Sequence, residues 1–307
     1  MRLLIIAPVH DFSVSAKPAY GPFDPYACDP NSDPNEVIAD NLANIAKFVP
    51  SATVVLHANE AFTRFDAARF KEMTNVVVNP RRWNFSHGFS QLAIVLSSYL
   101  YARNLDIDFD YVTITHSGEM FVKHGVFDYM SQHEFGIWNP PGTLSSLNGW
   151  PAYEFVRREP MQEALRTLFD ASDMHQYAAG HIEGSFYTRE LFDRMYQEFC
   201  ARFSMITMHS IPVFIEELLL PTFAFHLSRT KTPAHPINAI LLHKGHAPLD
   251  SMDMVERIRN NEMIPGVWSP SMFKPAIEPF DSTHIYTVKR VNRVMNDPVR
   301  QAIRMLS

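Results

Sequence analysis

Leu3–Asp11, LLIIAPVHD, decides the fold. An unbroken run of apolar residues from Leu3 to Val9 stops abruptly at His10-Asp11. A run of that length suits a central strand of a parallel sheet covered on both faces, whose polar end marks where the chain leaves the core. It is too short for a secretory core, so it predicts a first strand and not a leader. Downstream, Val37, Ile38, Leu42, Ile45 and Phe48 recur at helical spacing over Asn35–Phe48, and Pro50 limits that helix. Thr53–His57 and Val76–Asn79 predict a second and third strand, Phe89–Asn104 a helix, and Tyr111–Thr115 a fourth strand rich in β-branched and aromatic residues. Pro18, Pro22, Pro25, Pro30 and Pro34 exclude regular helix over residues 16–34. Strand and helix thus alternate over residues 1–125, which predicts an α/β fold with a mostly parallel central sheet flanked by helices.

The chain has 307 residues, 46% of them hydrophobic, enough for one large domain. We read 1–307 as a single domain with a ligand-binding half, 1–125, and a second half, 126–307. Helices are predicted in the second half near 160–172, 188–203 and 212–227. The net charge of −6 lacks the basic field of a nucleic-acid binder. Cys28 and Cys200 are too few for a disulfide framework, which favours a cytoplasmic location. No apolar run is long enough for a membrane span, and peripheral membrane association stays open.

Ligands of open α/β sheets bind beyond the carboxyl ends of the strands. Those ends read His10-Asp11, His57-Ala58-Asn59, Asn79-Pro80-Arg81-Arg82 and His116-Ser117-Gly118-Glu119. In Asn79–Gln91, NPRRWNFSHGFSQ, two arginines and a Ser-His-Gly turn precede a helix start, where free backbone N–H groups suit an anion. Arg81, His87 and Gly88 are candidates there, although Arg81-Arg82 reads equally as a solvated pair. No HExxH and no paired CxxC occurs, so His226, His235, His243 and His246 read as ordinary histidines and no metal is expected.

The order of these motifs resembles the core-2-type β-1,6-N-acetylglucosaminyltransferases and peptide O-xylosyltransferases with their bacterial relatives. PSATVVLHAN at 50–59 is similar to the opening of that domain. His87-Gly88-Phe89-Ser90-Gln91-Leu92 resembles the family's Trp-Gly-Gly-x-Ser-Leu, with His87 in place of the tryptophan. Phe109–Val112 with Ser117-Gly118-Glu119-Met120 is similar to its Phe-Asp-Tyr-Val strand and Ser-Gly-Gln-Asp segment. Gly184–Glu190 resembles Gly-Ser-x-x-Phe-x-x-x-Arg-Glu, Ile215-Glu216-Glu217 resembles Pro-Asp-Glu, and Tyr286–Arg293 the basic C-terminal segment.

The resemblance implies the glycosyltransferase A-type fold and transfer of a sugar, with inversion, from a nucleotide diphosphate donor to a carbohydrate or glycolipid acceptor, as in polysaccharide biosynthesis. UDP is the implied nucleotide, and no cofactor is implied. Metal-dependent transferases of this fold end the fourth strand with Asp-x-Asp. Ser117-Gly118-Glu119 offers one carboxylate, too few for a divalent cation and a diphosphate together. Lys289, Arg290 and Arg293 are therefore expected to hold the diphosphate, with His10, Asn59, Ser117 and Glu119 lining the donor site. Glu217, in the apolar segment PVFIEELLLPTFAF, is the expected general base. Glu183, Glu216 and Trp150 are expected to meet the acceptor. Glu216-Glu217 also reads as the acidic start of a helix. The alternatives are a nucleotide-sugar or glycan-binding protein of this fold without activity, and a histidine-dependent metallohydrolase.

Overall fold

The computed structural model describes residues 1–12, 32–83, 91–138, 177–205, 215–239, 251–264 and 280–307. Strand β1 (Leu3–Val9) is buried along its whole length. It pairs in parallel with β2 (Ala52–Ala58) on one side and β4 (Tyr111–Ile114) on the other, with Leu3 opposite both Ala52 and Tyr111. Strand β3 (Val76–Val78) extends the parallel block beyond β2. The six-stranded sheet runs β3-β2-β1-β4-β7-β6, where β6 is Phe135–Gly136 and β7 is Phe186–Thr188. Strand β7 is antiparallel to both of its neighbours. The sheet is therefore mostly parallel, as expected, with an antiparallel strand near one edge that three residues of sequence did not announce.

Successive side chains of a strand face opposite ways, which sorts the core into two layers. Leu4 and Ile6 join Val55, Val112 and Ile114 beneath α3 (Leu92–Asn104), α5 (Arg189–Arg202) and α6 (Glu216–Leu227). Leu3, Ile5, Ala7 and Val9 join Val54 and Leu56 against α1 (Pro34–Phe48). Helix α1 begins where expected because Asp33 accepts the Asn35 N–H and Pro34 occupies a first-turn position that needs no donor. Short helices α2 (Ala67–Lys71) and α4 (Val126–Met130) fill connections. The helix predicted near 188–203 is α5, capped by Thr188. The one near 212–227 is described from Glu216, and the one near 160–172 lies outside the described residues.

A second sheet, β5-β11-β8, comprises Glu119–Phe121, Thr287–Lys289 and Asn238–Ala239. Strand β11 pairs antiparallel with β5, placing Lys289 opposite Glu119, and parallel with β8. Both sheets thus draw strands from either side of residue 125. A small β9-β10 pair (Met263–Ile264, Phe280–Asp281) completes the strands among the described residues. Helices α7 (Asp253–Arg259) and α8 (Pro298–Met305) pack Val255, Ile258, Val299 and Ile303 onto the second sheet. Arg300 of α8 is fully buried. Its guanidinium holds Asp40 (2.6 Å), Asn41 (2.8 Å) and the carbonyls of Asn292 (2.7 Å) and Ser117 (3.4 Å). The C-terminal helix is thereby tied to α1 and to the turn after β4. Among the described residues, no helix is long and apolar enough to cross a membrane.

Candidate functional site

Polar side chains gather where β1 and β4 end and the second sheet begins, as expected for an open α/β sheet. The turn after β4 is fixed from several sides. The Gly118 N–H donates to His116 Nδ1 (3.1 Å), and the Val291 N–H donates to the Gly118 carbonyl (3.0 Å). Asn41 holds the Ser117 carbonyl at 2.7 Å. Glu119 then points inward. Its carboxylate accepts from the Asn238 amide (2.7 Å) and from the hydroxyls of Thr287 (2.6 Å) and Thr115 (3.1 Å). Burial pushes the Glu119 carboxyl up to about 7, and the charge of Glu183 adds to that, against the opposing pull of Thr287, Lys289 and Thr115.

The chain from β11 brings the cations. Lys289 ends that strand, and Arg290 follows in the left-handed region at φ 73°, costly for a residue with a Cβ. Arg293 lies 3.0 and 2.7 Å from the two ring nitrogens of His116, with its guanidinium 5.3 Å from the centre of the Phe12 ring. The His10 ring is 6.1 Å from both Phe12 and His116. His10, Phe12, His116 and Arg293 therefore form one polar-aromatic cluster at the ends of β1 and β4.

A second row sits beside it. Pro221 within α6 has no N–H to give to the Glu217 carbonyl one turn earlier. That carbonyl instead accepts the Gly180 N–H at 2.8 Å, which docks the 180–184 loop on the start of α6. A Cβ at Gly180 would lie 2.6 Å from Trp138 Cβ, so the loop can approach this closely only with glycine. Gly184 closes the loop at φ 73°, where a Cβ would fall 2.1 Å from Asn238 Cβ. Its N–H donates to Ile114 and its carbonyl accepts from Ile237 (3.0 and 2.9 Å). Between these anchors, His181 Nδ1 stands 3.1 Å from Glu217 Oε1 and 3.9 Å from Glu183 Oε2. Glu183 Oε1 pairs with Lys289 Nζ at 2.6 Å. Burial works to raise the Glu183 carboxyl, but Lys289 and His181 outweigh it and hold it down to about 2.

The structure thus brings Glu217, Glu183 and Lys289 into one row, with Glu119 opposite Lys289 and His10, Ser117 and Arg293 alongside. Other candidates have different neighbours. Glu216, 1% exposed, turns inward, and its carboxylate accepts the Gln91 N–H (3.0 Å) at the start of α3, a helix that has no side-chain cap of its own. Burial first, and the charge of Glu217 second, raise its carboxyl well above the usual range. Asn59 is buried and accepts the Ala61 N–H (2.8 Å), closing the turn after β2, while its carbonyl receives Arg82 (2.8 Å). Arg81 is exposed beyond β3, where its charge reaches Tyr196 of α5. No contact among the described residues joins it to the Glu217–Lys289 row. His87, Gly88 and Trp150 lie outside the described residues.

Sequence reasoning missed His181, Phe12 and Arg300 as parts of this region, and marked His116 only as part of a polar strand end. His181 carried one weak signal, its place two residues before Glu183 in HIEGS. Among the described residues no group of His, Cys, Asp or Glu is arranged to hold a metal ion. Compared with models of known protein families and with curated proteins, the chain matches none.

Proposed function

We propose that the chain is an inverting, metal-independent glycosyltransferase that moves a sugar from a nucleotide diphosphate, UDP in the first instance, to a hydroxyl of a glycan or glycolipid. The observation that carries this reading is the row Glu217–His181–Glu183–Lys289, a carboxylate at one end and a cation at the other, joined by contacts of 3.1, 3.9 and 2.6 Å. The motif order that resembles the core-2-type transferases supports it, as does a mostly parallel sheet whose strand ends meet the row.

The reaction is a single displacement. The acceptor hydroxyl gives its proton to Glu217 as its oxygen bonds the anomeric carbon. The bond from that carbon to the diphosphate breaks, and the diphosphate leaves with the electron pair. Lys289, Arg290 and Arg293 then meet the growing charge, arginine in bidentate fashion and lysine as a point charge. A diphosphate competes with Glu183 for Lys289. Glu119 is unsuited to chelating a cation, because both its oxygens already accept hydrogen bonds from Asn238, Thr287 and Thr115.

The test is UDP release from a panel of UDP-sugars with mixed glycan acceptors in excess EDTA, beside UDP binding by calorimetry. Glu217→Gln keeps shape and loses basicity, so kcat should fall on the order of 10²–10⁴-fold with UDP affinity intact. Lys289→Ala should weaken both. UDP binding without turnover of any donor would favour a binding protein of this fold, and loss of both functions in EDTA would sink the metal-independent reading.

A further inference from the structure

We infer that His181 is the positioning residue for Glu217: its Nδ1–H holds Glu217 Oε1 and leaves Oε2 aimed at the acceptor hydroxyl. The inference rests on the reading of Glu217 as the base. An unprotonated carboxylate can only accept, so the imidazole nitrogen 3.1 Å from it must carry the proton.

The backbone around His181 is held to a degree that a surface histidine would not need. The Gly180 N–H donates to the Glu217 carbonyl, which Pro221 has no N–H to satisfy. Gly184 is tied to Ile114 and Ile237. Between them, the Ser185 hydroxyl donates to the His181 carbonyl (3.3 Å), and the Trp138 indole N–H donates to the Glu183 carbonyl (3.4 Å). Only 12% of the His181 side chain is exposed. Among the described residues, the charged groups facing it include Glu217 from α6, Glu183 from its own loop, and Lys289 from β11 through Glu183; Glu216, next to Glu217, is turned toward α3.

The consequence is kinetic. A carboxylate on a flexible side chain rotates, and only a narrow set of orientations lets one oxygen take the acceptor proton as the new bond forms. Misplacement by about 1 Å can cost on the order of 10²-fold in rate. Holding Oε1 selects the orientation without consuming Oε2, and the hold persists as Oε2 takes the proton. Glu183 stays ionised beside Lys289, and its second oxygen, 3.9 Å from Nδ1, keeps the ring from swinging away.

The experiment compares His181→Ala and His181→Asn with the parent protein in UDP release and UDP binding, and records the long-range ¹H–¹⁵N spectrum of the His181 ring. Asparagine places an N–H near the Nδ1 position. His181→Ala should lower kcat by on the order of 10–10²-fold with UDP affinity unchanged, and His181→Asn should recover most of that loss. The parent spectrum should show the proton on Nδ1. An unchanged kcat in His181→Ala, a fall in UDP affinity parallel to kcat, or a proton on Nε2 would overturn the inference. The spectrum reads this even if no donor is turned over. Failure of the base reading shows separately, as turnover that survives Glu217→Gln.

Discussion

Glu216 and Glu217 are neighbours in sequence and share charge, length and helix. About 100° of helical rotation separates them, and that alone gives one a place under α3 and the other a place beside His181. Their substitutions should therefore separate cleanly. Glu216→Gln keeps a carbonyl oxygen for the Gln91 N–H and should be nearly neutral in thermal denaturation. Glu216→Ala leaves the start of α3 uncapped and should cost about 1–3 kcal/mol, with the folded protein still binding UDP. Glu217→Gln should show the reverse, stable but slow. A stable Glu216→Ala variant that no longer binds UDP would return Glu216 to the ligand site.

At the scale of elements, small irregularities place the site. A proline inside α6 frees one carbonyl, and two glycines let a loop pass where no side chain fits. Helix α8 matters through one residue. Arg300→Met would take from Asp40 its buried partner and from the Ser117 carbonyl the weaker of two, since Asn41 still holds that carbonyl at 2.7 Å. Breaking a buried ion pair costs about 3–5 kcal/mol. The lower end of that range is expected here, because Arg304 still faces Asp40 at 2.6 Å. The denaturant midpoint should fall accordingly, and UDP affinity should fall with it because the turn that carries Ser117 and Glu119 loses one of its anchors. A midpoint unchanged from the parent would show that Asn41 and the His116 and Val291 contacts hold that turn without Arg300.

For the whole molecule, pH reaches the fold through groups buried in one protonation state. His57 lies fully buried on β2, its Nδ1 between the Ser98 hydroxyl (3.1 Å) and the Asn79 amide (3.2 Å). Burial, with Arg82 adding to it, holds it down to about 4, against an ordinary value of 6.5. The unfolded chain therefore takes the proton first as pH falls. Stability is lost between pH 6.5 and 4, by roughly 3 kcal/mol from this residue. Glu119 acts in the opposite sense. Raised to about 7, it contributes stability below the unfolded value of 4.5 that is lost as pH rises through 7. The diagnostic measurement is a comparison: between pH 7 and 4, His57→Asn should lose less stability on acidification than the parent, by roughly 3 kcal/mol. Parallel curves would show that the ring charges without penalty.

The amino-acid sequence by itself determined strands β1 to β4, their mostly parallel arrangement and the helices that cover them, but not the order β3-β2-β1-β4. Those elements are written in local apolar periodicity, which survives without knowledge of what packs against it. It also singled out Glu217, a charge inside an apolar segment, and Glu119, an acid at a strand end, whereas Glu183 and Lys289 entered with the family resemblance. Tertiary structure alone decided the rest. Strands β6, β7 and β8, of two or three residues, are too short to carry a period, and they exist only because a longer strand supplies their hydrogen bonds. Which of two adjacent glutamates faces the site, why a histidine meets both carboxylates, and why an arginine near the C-terminus sits fully buried each depend on partners far away in the chain. Arg300 lies 260 residues from Asp40, and Lys289 lies 106 from Glu183. A side chain's charge is a property of the residue, but its direction and its partner are set by the packing of elements that local sequence does not encode.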